Sequence, residues 1–254
     1  MKTSRINVPA SLVFFLVVLT LGGGVRAADV VDNWSFLEPG VLPKVSSFAV
    51  GESLIEINGL KAGGVVDASS TPANPFSDTT RALSIEPGPE NGRLRIFTRP
   101  FPNETPAQGF YEFTFRLVDG GFNLNPEFFS GPADPKGVWY KSGTEEQFFG
   151  LAFLPGQPII IAKQRVGTDE VKVLTTEENY TFRIAWETSG ENLVFSTFLN
   201  GQPLRTGDGT NFSFPVPRSK IADTVLGFRL ASGSADGPCF KGFIGSIRAE
   251  ALSP

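Results

Sequence analysis

The fold class this sequence predicts is all-β: two antiparallel sheets packed face to face, behind an N-terminal export leader. Three observations carry the prediction. Turn formers and β-favouring aromatics dominate, with 28 Gly, 20 Pro and 24 Phe against a single Met, a composition that calls for short strands and frequent turns. The ordered runs alternate with period two, which gives each strand one dry and one wet face. No stretch beyond the N-terminus combines an apolar helical period with caps. Sheets dry on one side are stable when they bury those sides against each other.

The leader comes first in the chain. Lys2 and Arg5 precede an apolar run over 12–19, then come Gly22-Gly23-Gly24 and the small or tolerated residues Val25-Arg26-Ala27. That is the order of a secretory signal peptide over residues 1–27, and the run is shorter than the ~20 residues that span a bilayer. Its removal takes three basic and no acidic residues, leaving 227 residues with 19 basic and 26 acidic side chains, a formal charge of −7. Such a chain is expected outside the cytoplasm: extracellular, at the cell surface or periplasmic. Its acidity argues against nucleic acid and anionic membranes as partners, and no later segment has the length and apolarity of a transmembrane helix. Residues 28–44 read as an extended lead-in and 45–252 as one β-rich domain, which its size allows.

The strands follow in order. Leu94 and Ile96 share one face of 93–99. The clearest strand is 110–118, with Tyr111, Phe113, Phe115 and Leu117 on one side and Glu112, Thr114 and Arg116 on the other. Residues 147–154 and 158–163 are apolar strands joined by a turn at Leu154-Pro155-Gly156-Gln157. Tyr180, Phe182, Ile184 and Trp186 point inward from 180–187. A turn at Ser189-Gly190 leads into 192–199, which ends on Asn200-Gly201, a strong hairpin signal. Two more strands are expected near 224–231 and 242–250. The stretch 61–79, rich in small residues, reads as a loop, and 119–141 as a long connection.

Histidine is absent, which removes Ser-His-Asp and Cys-His catalysis and most zinc sites. Cys239 is the one cysteine. It has no disulfide partner in the chain and no base suited to activating it, so it reads as a small buried apolar group.

Two segments resemble the concanavalin A-like lectin/glucanase superfamily, in its laminin-G-like branch. One is Asn179-Tyr180-Thr181-Phe182-Arg183-Ile184-Ala185-Trp186, a turn, Leu193 to Leu199, and Asn200-Gly201. The other is Phe240-Lys241-Gly242-Phe243-Ile244-Gly245-Ser246-Ile247-Arg248, similar to that family's closing strand. Gly245-Ser246 stands where the family often has an acidic pair, and Cys239 lacks the partner found in many laminin-G domains. The resemblance implies a jelly-roll sandwich. It leaves function open, because lectins, glycosidases, lyases and adhesion modules share this architecture.

Glycosidases of the superfamily set carboxylates at alternate positions of one strand, so that two flank a glycosidic bond. Glu145-Glu146 and Glu177-Glu178 are instead adjacent, and on a strand would face opposite ways. No catalytic residue is identified. The binding reading rests on 119–141, where aromatics stand among amides and carboxylates. Trp139 and Tyr140 are candidates for stacking on a sugar ring, with Asn123 and Asn125 as hydrogen-bond partners. Folding back as a packing cluster is the competing role of these aromatics, and the favoured one for Phe128 and Phe129.

No cofactor is expected. Members of the family often use calcium to shape a glycan site, but no loop has the Asp/Asn density of a calcium site. Asp119, Asp134, Asp208 and Asp236 read as turn formers. Four Asn-x-Ser/Thr sequons begin at Asn33, Asn103, Asn179 and Asn211. The expectation is a secreted, non-catalytic lectin-like module for a polysaccharide or surface glycan. A structural or adhesive protein binding another protein, and a divergent polysaccharide-active enzyme, stay open beside it.

Overall fold

The computed structural model describes residues 46–252, apart from 51–52, 59–61, 87–93, 102–103, 130–137, 140, 143–146, 149–150, 162–163, 177, 223 and 233–239. The leader, the lead-in, Tyr140, Cys239, Asn33, Asn103, Asp134 and Asp236 lie outside the described residues.

Along the chain run β1 (Ser46–Val50), β2 (Ser53–Asn58), β3 (Ala62–Val66), β4 (Ala82–Glu86), β5 (Leu94–Arg99), β6 (Gln108–Asp119) and β7 (Phe122–Phe129). Short strands follow: β8 (Val138–Trp139), β9 (Lys141–Ser142), β10 (Gln147–Phe148), β11 (Leu151–Phe153), β12 (Ile159–Ile161) and β13 (Gln164–Gly167). Then come β14 (Asn179–Ser189), β15 (Asn192–Leu199), β16 (Gln202–Pro203), β17 (Arg205–Thr206), β18 (Ser213–Pro217), a 3-10 turn at Arg218–Lys220, β19 (Val225–Ser232) and β20 (Lys241–Ala251).

Two large antiparallel sheets result, with β9 and β10 paired as a separate two-stranded ribbon. The ten-stranded sheet has the order β1-β2-β5-β19-β7-β11-β12-β13-β17, with β8 on β7; the eight-stranded sheet has the order β16-β15-β14-β6-β20-β4-β3, with β18 on β15. Their inner faces share one aromatic core. Tyr111 of β6 stacks on Phe228 of β19 at 4.0 Å, and Phe113 and Phe115 meet Phe122 at 5.8 and 5.1 Å. Phe153 meets Phe182 at 5.0 Å. Trp186 sits at the centre of one end, 6.0 Å from Phe228, its indole N–H donating to Pro106 O at 3.0 Å. Each ring buried this way contributes roughly 2–3 kcal/mol by removal from water.

The inward sets expected on 93–99, 110–118 and 180–187 are the buried ones. At Asn200-Gly201 the hairpin has φ of 50° and 77°, the left-handed pair that a two-residue type I′ turn requires. Gln157 N donates to Leu154 O at 3.2 Å in the expected turn between β11 and β12.

Two segments differ from their sequence reading. Residues 62–66, expected within a loop, form β3 at the edge of the eight-stranded sheet. Gly63 has φ of 102°, and a Cβ there would lie 2.1 Å from Ser84 O. The residue is glycine because the strand hugs its neighbour, and not because the chain turns. The rest of that loop folds back over the outer face, where Phe76 packs with Val66, Ala82 and Phe243.

The segment 119–141, expected as a long connection, supplies the strand β7, paired to β19 along 123–129. Pro126 had disguised it, since proline is uncommon inside a sheet. On its other flank β7 is paired to β11 up to Leu124 and to β8 from Glu127, so Pro126 falls in the gap where the ladder asks for no donor. Phe128 is buried in the core, at 6.5 Å from Phe195.

Candidate functional site

Strand pairing sorts the predicted residues. Phe122, Leu124, Pro126 and Phe128 of β7 are buried, so the alternate positions Asn123, Asn125 and Glu127 belong to the outer face of the ten-stranded sheet. Asn125 stands opposite Arg229, and Asn123 opposite Ala231. Trp139 on β8 stands opposite Glu127. Three of the four predicted positions therefore fall on neighbouring strands of one sheet. Tyr140 is outside the described residues.

Sequence reasoning missed the strand these positions flank. On its outer side β19 presents Gly227, Arg229 and Ala231, between β5 and β7. Gly227 and Arg229 are buried there and Ala231 is half-buried. Arg229 is only 7% exposed, a cation laid along the sheet. The signal for this, alternation of Gly, Arg and Ala along 227–231, is invisible until the strand's two neighbours are known.

One cross-strand row is continuous. It runs Asn58, Arg95, Ala231, Asn123, Ala152, Ile160, Arg165, over β2, β5, β19, β7, β11, β12 and β13. At ~4.8 Å per strand, Arg95 and Asn123 are roughly 10 Å apart across Ala231, and Arg95 and Arg165 roughly 24 Å apart. Arg95 is half-buried, while Asn123 and Arg165 are exposed. None of these three side chains makes a hydrogen bond or ion pair among the described residues. The row thus offers two cations and an amide.

The outer face of the eight-stranded sheet is arranged differently. Arg183 grips Glu112 with Nε at 2.7 Å and Nη2 at 2.6 Å, and Arg248 holds Glu250 at 2.8 Å. Both guanidinium groups lie over Phe110, at 4.3 and 5.2 Å from its centroid. Most polar capacity here is spent within the protein, and the loop bearing Phe76 covers the flank.

A recess of about 650 Å³ opens at one end of the sandwich, lined by Glu104, Pro106, Thr188, Leu193, Arg218 and Ile221 among others. Its threonines are engaged: Thr188 Oγ1 donates to Ala107 O, Thr224 Oγ1 donates to Ile221 O, and Thr105 Oγ1 accepts from Leu226 N.

Among the described residues no three His, Cys, Asp or Glu side chains converge to hold a metal ion. Asp208 is bound into a turn by Thr206 Oγ1 at 2.5 Å and Thr210 N at 3.0 Å, bonds that hold its carboxyl below the usual range. Asp119 accepts from Gly120 N at 2.7 Å. Both carboxylates serve turns, the role read for them in the sequence. Also among the described residues, no helix is long and apolar enough to cross a membrane.

No family model and no curated protein matches this chain. Among solved structures it is similar to lectin I-B4 from Griffonia simplicifolia, at 15% identity and a TM-score of 0.39 over 78% of this chain and 93% of that one. It is similar to a seed lectin of Lotus tetragonolobus, at 11% identity and a TM-score of 0.42 over 82% and 100%. It is also similar to the exoplasmic/lumenal domain of VIP36 in a Ca²⁺/Man3GlcNAc-bound form, at 13% identity and a TM-score of 0.39 over 79% and 84%. These are lectins of the concanavalin A-like fold. The sandwich itself is established here by strand pairing and by the core its two sheets share.

Proposed function

We propose that this protein is an exported, non-catalytic carbohydrate-binding protein that holds a polysaccharide or surface glycan on the outer face of its ten-stranded sheet. The observation that carries the reading is the Arg95–Ala231–Asn123 row: polar groups with no partner among the described residues, flanking one small residue. Sugar hydroxyls need donors and acceptors not already used by the protein, and Arg95 and Asn123 supply both. Trp139, opposite Glu127 in the same sheet, and Tyr140 next to it in sequence, are the candidate stacking aromatics. Export is inferred from the leader-like order of residues 1–27.

A hydrolytic role has weaker support. Glu56 and Glu127 occupy this sheet three strands apart, on β2 and β7. Three spacings are roughly 14 Å, beyond the ~5–9.5 Å at which paired carboxylates cleave a glycosidic bond.

A glycan array probed with the protein, in calcium and again in chelator, tests the reading. Binding to a defined glycan class is expected in both lanes, with no reducing sugar released from the bound polymer. Trp139→Ala is expected to weaken binding by about tenfold while the melting temperature stays put, an aromatic–sugar contact being worth of order 1 kcal/mol. Silence across the array would move the weight to a protein-binding surface module. Release of reducing sugar would make the protein an enzyme.

A further inference from the structure

We infer that the ligand of this face is an anionic polysaccharide, laid across the strands with its carboxylate or sulfate groups on Arg95 and Arg165. The inference rests on the glycan-binding reading and narrows it to a chemical class. Arginine is the side chain whose planar fork matches carboxylate and sulfate geometry. Three of the described arginines are already matched to an acid or an amide. Arg183 holds Glu112, Arg248 holds Glu250, and Arg205 holds Asp169 and Asn211. Arg95 and Arg165 are different: they share one row of one face, and neither has an ion-pair partner among the described residues.

The chain is acidic overall, with 26 acidic against 22 basic residues. Its net field therefore repels polyanions, and attraction has to come from local cations. The row supplies two. Arg229 is buried on the same strand as Ala231, and Arg95 lies one strand over. From Arg95 the row passes Asn123 and ends at Arg165, roughly 24 Å away. That span covers several sugar residues, so one chain bearing repeated anions reaches both cations while Asn123 engages hydroxyls between them. Ala231, the small residue between Arg95 and Asn123, leaves room for the polymer backbone.

Polygalacturonate and its fully methyl-esterified form separate charge from sugar shape, because the backbone is the same and only the carboxylates are neutralised. Dextran sulfate and unmodified dextran make the same comparison for sulfate. Isothermal titration with the protein is expected to show at least tenfold tighter binding to the anionic member of one pair, with affinity falling as salt rises. Arg95→Gln and Arg165→Gln are each expected to lower that affinity by about fivefold or more. Arg116→Gln, which removes a charge from the outer face of the other sheet, is expected to leave it unchanged.

Equal binding to the neutral member of each pair overturns the anionic ligand and keeps the glycan reading. Equal losses in all three variants reduce the effect to general charge attraction and also overturn it. No binding to any of the four polymers, together with silence on the array, removes both readings.

Discussion

Two buried side chains show how single polar atoms set the stability of this core. Thr197 lies on the inner face of β15, opposite Ile184, and its hydroxyl has no hydrogen-bond partner among the described residues. A buried hydroxyl that forfeits its water costs more than an isosteric methyl in the same place. Thr197→Val is therefore expected to raise stability by about 1 kcal/mol in urea denaturation; a loss would reveal a bond to Thr197 not seen here. Tyr111 is the opposite case. Its hydroxyl is 3.2 Å from Thr98 Oγ1, and burial pushes its pKa far above the ordinary 10.0. The folded chain holds this proton to higher pH than the unfolded chain does, so the stabilisation is complete below about pH 10 and is lost as pH climbs beyond it. Tyr111→Phe is expected to cost about 1 kcal/mol at pH 8. That gap should close or reverse by pH 11.5 in paired urea titrations, while parallel curves would contradict the account.

Strands that make their own turns were legible in the sequence, and strands defined by distant partners were not. The pair β14–β15 is legible because everything that specifies it is local: alternation, the turn signal at Ser189-Gly190, and Asn200-Gly201 at the far end. By contrast β3 and β7 carry loop-like sequence. Their glycines and proline serve contacts with Ser84 and with the gap between β11 and β8, and those contacts have no local signature. The same holds for Gly245-Ser246, where the sequence shows only a departure from the resembled family. In the structure this is a bulge in β20 that lets Ser246 N reach Thr114 Oγ1 at 2.8 Å. A Cβ on Gly245 would lie 2.2 Å from that oxygen and 2.9 Å from the Phe76 ring. Gly245→Ala is expected to cost about 1–3 kcal/mol by overpacking and to expose the loop carrying Phe76 to limited proteolysis. Wild-type stability in this variant would mean that the loop is not held by the bulge.

At the scale of the molecule, the two outer faces divide the work. One sheet pairs Arg183 and Arg248 with glutamates over Phe110 and covers its flank with a loop. The other is crossed by a row whose arginines and asparagine are unengaged among the described residues. The candidate site was half legible for this reason. Asn123 and Asn125 could be picked out as polar groups near aromatics, but Arg95, Arg165 and Arg229 come to them only through strand order, from more than twenty residues away in the chain. Placing the ligand on this row makes Ala231 the most direct point of attack, since it lies between Arg95 and Asn123. The deciding measurement is a titration of the protein and of Ala231→Trp with the glycan selected on the array, alongside thermal melts of both. The indole is expected to cover the space between Arg95 and Asn123 and cut affinity by at least tenfold, with the melting temperature within a few degrees of wild type. Undiminished affinity in a folded Ala231→Trp protein would contradict it and place the ligand elsewhere on the sandwich.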